Sequence, residues 1–171
     1  MSAVILTVQG TDRPGLTQAL ADAVHRAGGN WQESQLARLG GQYVGAVLVR
    51  IADADRAALE AALATIDPAT LTIGVVAAVP DGAADGQPLV LEIVGADRPG
   101  IVREVTAVLA GLHVNIEDFD SVVDDGAWSG ERLFRARATL TVPPGTDPDD
   151  VTAALEAISG EIMVDVTVGA G

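Results

Sequence analysis

The chain has 171 residues and a net charge of −14, from 24 Asp and Glu against 10 basic side chains, all of them Arg. With no Cys and no Lys, disulfides, thiolate metal sites, a Cys nucleophile, Schiff-base chemistry and a P-loop are excluded. So acidic a chain argues against direct contact with nucleic acid, and with neither a basic leader nor an apolar run of spanning length a soluble cytoplasmic protein is expected. Hydrophobic residues make up 49% but aromatics only 3%, so the core must be built from Val, Leu, Ile and Ala.

In chain order, the apolar run 3–9 predicts a strand. Thr11-Asp12-Arg13-Pro14-Gly15 follows. Leu16, Leu20 and Val24 then recur every four residues, with Ala19, Ala23 and Ala27 beside them, which predicts a helix stopped by Gly28-Gly29. Residues 30–39 and 42–51 read as a hairpin around Gly40-Gly41. Residues 54–66 read as a second helix ended by Asp67-Pro68, and 70–78 as a strand. The turn-rich stretch from Pro80 to Pro88 reads as a linker. The same order then returns: strand 88–94, the pentapeptide Ala96-Asp97-Arg98-Pro99-Gly100, helix 99–111, strands 114–123 and 132–142, helix 147–159 and strand 162–168.

The two pentapeptides lie 85 residues apart, as do Asn30 and Asn115, which each open an extended run. Leu59, Leu63 and Ile66 match Val151, Leu155 and Ile158 at an offset of 92, so the second copy has gained seven residues in between. Such a repeat implies duplication. The expected fold is α+β: two βαββαβ units of the ferredoxin-like type in tandem, each an antiparallel sheet with both helices on one face, over 1–79 and 89–171 with a linker at 80–88. Strand 42–51 is apolar on both faces, which predicts a second sheet against it, within the chain or in a homodimer. In strand 132–142, Phe134, Ala136, Ala138 and Leu140 make a core face and Arg135, Arg137, Thr139 and Thr141 an outer one.

Asp-Arg-Pro-Gly at a strand-to-helix junction has a physical reading. Asp12 and Asp97 are expected to cap their helices, Pro14 and Pro99 to sit in the first turn, and Gly15 and Gly100 to let a ligand approach the free N–H groups. Asn30 and Asn115 can both donate and accept, which suits the charged ends of an amino acid. For one copy a well-capped turn suffices as an explanation; two copies with matching Asn residues favour a site.

The pattern G-x-D-R-P-G, an amphipathic helix and then Asn on the next strand resembles an ACT domain, twice over and across nearly the whole chain. The segments GGNWQESQLARLGGQYVGAVLV (28–49) and NIEDFDS (115–121) resemble the glycine cleavage system transcriptional repressor family. The resemblance implies a non-catalytic regulator that senses an amino acid such as glycine or serine. It also implies a site between domains, drawn from Asp12, Arg13, Pro14, Gly15, Asn30, Asp97, Arg98, Pro99, Gly100 and Asn115. A protein partner such as a transcription factor is implied with it. Trp31 stands where the second copy has Ile116, so the two sites differ. A structural dimerisation module with decayed sites, and a regulatory subunit of an amino-acid metabolic enzyme, stay open. The chain ends just after the last expected strand, so no attached catalytic domain is expected.

Within 117–131, Glu117, Asp118, Asp120, Asp124, Asp125 and Glu131 read either as a hard-cation site or as a solvated hairpin with Asp118 and Asp120 paired to Arg135 and Arg137; the hairpin is favoured. Trp128, on a Gly-flanked tip, is either tucked onto the sheet or offered to a partner. His25 and His113 read as surface or turn residues. No catalytic constellation, metal site or cofactor motif is expected.

Overall fold

A computed structural model describes residues 2–67, 69–79, 82, 85–125, 132–158 and 162–168. The chain divides into two compact units, Met1–Asp81 and Gly82–Gly171. The first holds β1 (Ser2–Thr11), α1 (Leu16–Arg26), β2 (Asn30–Leu39), β3 (Gln42–Ile51), α2 (Arg56–Leu63) and β4 (Leu71–Ala77). The second holds β5 (Gln87–Ala96), α3 (Ile101–Gly111), β6 (Asn115–Asp125), β7 (Arg132–Val142), α4 (Pro148–Glu156) and β8 (Ile162–Val168). The sheet orders are β2-β3-β1-β4 and β6-β7-β5-β8, with every pairing antiparallel. The βαββαβ order read from the repeat is therefore the observed one.

Alternation decides which face each strand buries. Val4, Leu6 and Val8 of β1 share a face with Tyr43, Val47, Val49 and Ile51 of β3, and Leu16, Leu20, Val24, Leu59 and Leu63 of the two helices pack onto it. In the second unit Leu89, Leu91, Ile93, Phe134, Ala138 and Leu140 meet Ile101, Val105, Leu109, Val151 and Leu155. Truncating any one of the fully buried leucines, such as Leu20 or Leu140, removes about 2–5 kcal/mol.

Several expected boundaries move. The helix expected over 54–66 is a 3-10 turn at Asp53–Asp55 followed by an α-helix that ends at Leu63. The helix expected over 99–111 starts at Ile101, so Pro99 lies before it, as Pro14 lies before α1. The helix expected over 147–159 runs Pro148–Glu156; there an Asp does cap, with Asp147 accepting from the Asp149 amide at 3.0 Å and proline in the first turn. His113 turns the chain from α3 into β6 with φ 57, in keeping with its reading as a turn residue. Trp128 and Glu131 lie outside the described residues.

Both units carry one irregularity that alternation does not announce. The β2–β3 register slips between Trp31 and Glu33, and the β6–β7 register slips between Ile116 and Asp118. Gln32 and Glu117 are thus bulge residues at equivalent places, two residues after each Asn.

The outer faces of the sheets differ. In the first unit Ile5, Leu48 and Val76 form an apolar row across β1, β3 and β4, and Ile5 and Leu48 also line a hollow of about 730 Å³ with Ala3, Ala46, Val79 and, from β2, Glu33, Ser34 and Gln35. In the second unit the outer face carries ions. Arg137 donates to Glu92 at 3.0 Å and Arg135 pairs with Asp124 at 3.7 Å. The expected pairing of Asp118 and Asp120 with these arginines is not made: Asp118 lies opposite Thr139, and Arg137, though opposite Asp120, turns to Glu92.

Candidate functional site

The Asp-Arg-Pro-Gly turns do not cap their helices as expected. The residue at each N-cap is the glycine, Gly15 with φ 92 and Gly100 with φ 101, which has no side chain to cap the free amides of the first turn, and among the described residues no other side chain bonds to them. Both glycines are left-handed, which other residues adopt only at a cost. The aspartates act as braces instead. The Asp12 amide donates to the Gly41 carbonyl at 3.3 Å while its carboxylate meets Arg38 at 3.3 Å. The Asp97 amide donates to the Arg132 carbonyl at 2.8 Å while its carboxylate meets Arg132 at 3.6 Å. Each motif is thereby pinned to the hairpin of its own sheet.

The two arginines have different partners. Arg13 donates from Nε to Asp67 at 2.7 Å, reaching across 54 residues to the turn before β4. Asp67 is held below the ordinary carboxylate range, first by the Thr70 hydroxyl and then by Arg13. Arg98 grips Glu104 of the helix that follows it with both terminal nitrogens, at 3.0 and 2.6 Å, and this bidentate bond holds the Glu104 carboxyl below its usual range. The residue matching Glu104 in the first copy is Ala19. Neither Asp67 nor Glu104 figured among the expected site residues. Glu104 had a visible signal, an acid in the first helical turn beside a motif arginine; Asp67 had none, because its contact depends on tertiary structure.

Asn30 and Asn115 are the first residues of β2 and β6 and both are exposed. Asn30 lies opposite Arg50, which in turn faces Ala3 at the start of β1, whereas the Asp12–Gly15 turn follows the other end of β1. Eight residues of strand separate them, about 26 Å. Asn115 lies opposite Thr141, and Thr141 opposite Pro88, so the second unit repeats this separation. No single unit brings its Asn to its own glycine turn; a site using both needs two copies of the motif-bearing element to meet. The Asn115 amide already donates to Glu117 at 2.8 Å, and Asn115 followed by Thr141 holds the Glu117 carboxyl below its ordinary range.

Arg98, Gly100, Ile101, Val102, Val123 and Phe134 border a hollow of about 370 Å³ at the second turn. At the first turn a Cβ built on Gly15 would meet nothing within 4 Å, so that helix end is open. Among the described residues no cluster of three or more His, Asp or Glu could hold a metal ion, and no helix is long and apolar enough to cross a membrane.

Comparison with known proteins agrees with this repeated architecture. Two models of the ACT domain match residues 2–78 and 89–160. A UPF0237 protein of Methanococcus maripaludis is 35% identical over 81 residues, which is 47% of this chain and 83% of that protein. The crystal structure of an unknown protein from Galdieria sulphuraria is similar over 99% of both chains, with a TM-score of 0.85 and 27% identity. A protein provisionally assigned as a glycine cleavage system transcriptional repressor shares the fold over 98% of both chains, with a TM-score of 0.72 and 17% identity.

Proposed function

Because the chain belongs to the ACT-domain family and carries two such domains in tandem, we propose that it is a non-catalytic regulator whose motif turns bind an amino-acid effector such as glycine or serine. The observation that carries this reading is the repeated Asp-Arg-Pro-Gly turn, which closes on a left-handed glycine and leaves the amides of α1 and α3 without a side-chain cap. Uncapped amides and a helix dipole favour an effector carboxylate. An exposed Asn at the head of β2 or β6, brought by a second copy of the chain, supplies donors and acceptors for the remaining polar groups.

The regulated partner is a protein in this reading, since a net charge of −14 disfavours a direct approach to DNA. The fold shared with the provisionally assigned repressor supports a role in transcriptional control of glycine cleavage, exerted through a transcription factor. Titration calorimetry of the whole chain against the twenty amino acids tests the effector. Saturable heat with glycine or serine is expected. Heat with none of the twenty overturns the sensor reading and leaves the other one, a dimerisation module with decayed sites. That alternative has an observation in its favour: both motif arginines are already paired with carboxylates of their own chain.

A further inference from the structure

The two motif turns share backbone geometry but not electrostatics. In the second, the Glu104 carboxylate bonds Arg98 through both oxygens and lies 3.6 Å from where a Cβ on Gly100 would stand. It is the one acid in the first turn of α3. A carboxylate in that place is stabilised by the helix dipole and by the guanidinium together. Arg103, next along the helix, favours the charged form as well. In the first turn no acid stands in the opening turn of α1, Ala19 replaces Glu104, and Arg13 reaches Asp67 through Nε, with its side chain half exposed.

We infer that Glu104 is a built-in carboxylate ligand of the second motif, so that an effector's carboxylate is taken by the first motif alone. This rests on the effector reading above. The hollow beside Gly100 survives, lined by Ile101, Val123 and Phe134 and by two arginines, Arg98, whose guanidinium Glu104 already holds, and Arg103, with the Asp97 carboxylate between the strand and the turn. An incoming carboxylate that uses Arg98 must displace Glu104 from a bidentate bond, and one that uses Arg103 instead still sits beside Glu104 and Asp97 as a like charge. At the first motif Arg13 holds its carboxylate, Asp67, through Nε alone, and no acid stands in the first turn of the helix.

The test uses the whole chain, labelled with nitrogen-15, and follows backbone amide shifts on titration with glycine, L-serine and, as the simplest carboxylate, acetate. In the wild type, the amides of Gly15, Leu16 and Thr17 are expected to move while those of Ile101, Val102 and Arg103 stay fixed. Glu104→Ala and the near-isosteric Glu104→Gln should both let the second set move. Ala19→Glu should weaken the first site about tenfold. Equal shifts at both turns in the wild type overturn the inference while the effector reading stands, and so does a second turn that stays silent in both Glu104 variants. If glycine and serine move nothing but acetate moves the second turn only after Glu104 is changed, the inference holds and the amino-acid reading falls. Silence at both turns in every protein overturns both.

Discussion

The hydroxyl of Thr17 lies 2.8 Å from that of Tyr43, tying the first turn of α1 to the start of β3. Tyr43 is the only tyrosine in the chain, and its ring is buried in the first core. The bond therefore fixes the helix end that bears the motif relative to the sheet beneath it. Tyr43→Phe keeps the ring and removes the bond, so it should lower the stability of the first unit by about 1 kcal/mol. Urea unfolding followed by circular dichroism reads this; an unchanged midpoint would mean that water replaces the contact at no cost.

Glycines in the first unit should rank by what a side chain would meet. Gly15→Ala forces a Cβ into a left-handed conformation but into open space, for about 1–2 kcal/mol. Gly45, in the middle of β3, has φ 149, and a Cβ there would collide with the Gln35 carbonyl of the neighbouring strand. Gly45→Ala should cost roughly 3 kcal/mol or more and separate β2 from β3. Equal thermal shifts for the two variants would contradict the close approach of β2 to β3 at this glycine.

Acid should weaken both units for the same reason. Asp67, Glu104 and Glu117 all have lowered pKa values when folded. The unfolded chain then binds more protons than the folded one at low pH. Their stabilisation is complete above the unfolded value, about pH 4, and disappears as pH falls through the lower folded values. Solvent screens these exposed pairs, so each effect is small. The double variant Asp67→Asn, Glu104→Gln should show a shallower fall in Tm between about pH 5 and pH 3 than the wild type.

The two asparagines should not be equal in binding. Asn30 faces Arg50, whereas Asn115 is engaged by Glu117 and flanked by Thr141. If the first motif takes the effector, Asn30→Ala should weaken glycine or serine binding about ten- to a hundredfold, through lost bonds to charged groups. Calorimetry that shows the same loss for Asn30→Ala and Asn115→Ala would assign both ends to binding.

A second copy of the chain is expected to cover the apolar row of Ile5, Leu48 and Val76; Val76 is 49% exposed. Wild-type protein should scatter light with twice the 17.4 kDa mass of one chain. Leu48→Asp should halve that mass by placing a charge at the β3 end of the row. A monomeric wild type at high concentration would remove the dimer from the proposal.

Much of the fold was legible because it rests on periodicities. Leu16, Leu20 and Val24 gave the buried face of α1, and the alternation from Phe134 to Leu140 gave the inner face of β7. The repeat of the pentapeptide, seen twice, fixed the topology better than either half alone. The caps were not legible, because Asp and Gly are both favoured before a helix and only the backbone angle separates them. Braces such as Asp12 to Arg38 and Arg13 to Asp67 were hidden for another reason: they join residues that only the closed sheet brings together. The separation of Asn30 from Gly15 followed from strand direction and was available in principle, but a linear motif conceals which end of a strand each residue occupies.

The matching bulges at Gln32 and Glu117 give the molecule a history. An extra residue in a strand re-aims everything beyond it, so two independent insertions at one equivalent point are far less economical than one inherited insertion. The kink therefore belongs to the ancestral single unit and was copied with it. Where the halves disagree, as at Ala19 against Glu104 and Gln32 against Glu117, the differences came after the copying. The backbone is the common inheritance; the side chains at these positions are where the two halves have diverged.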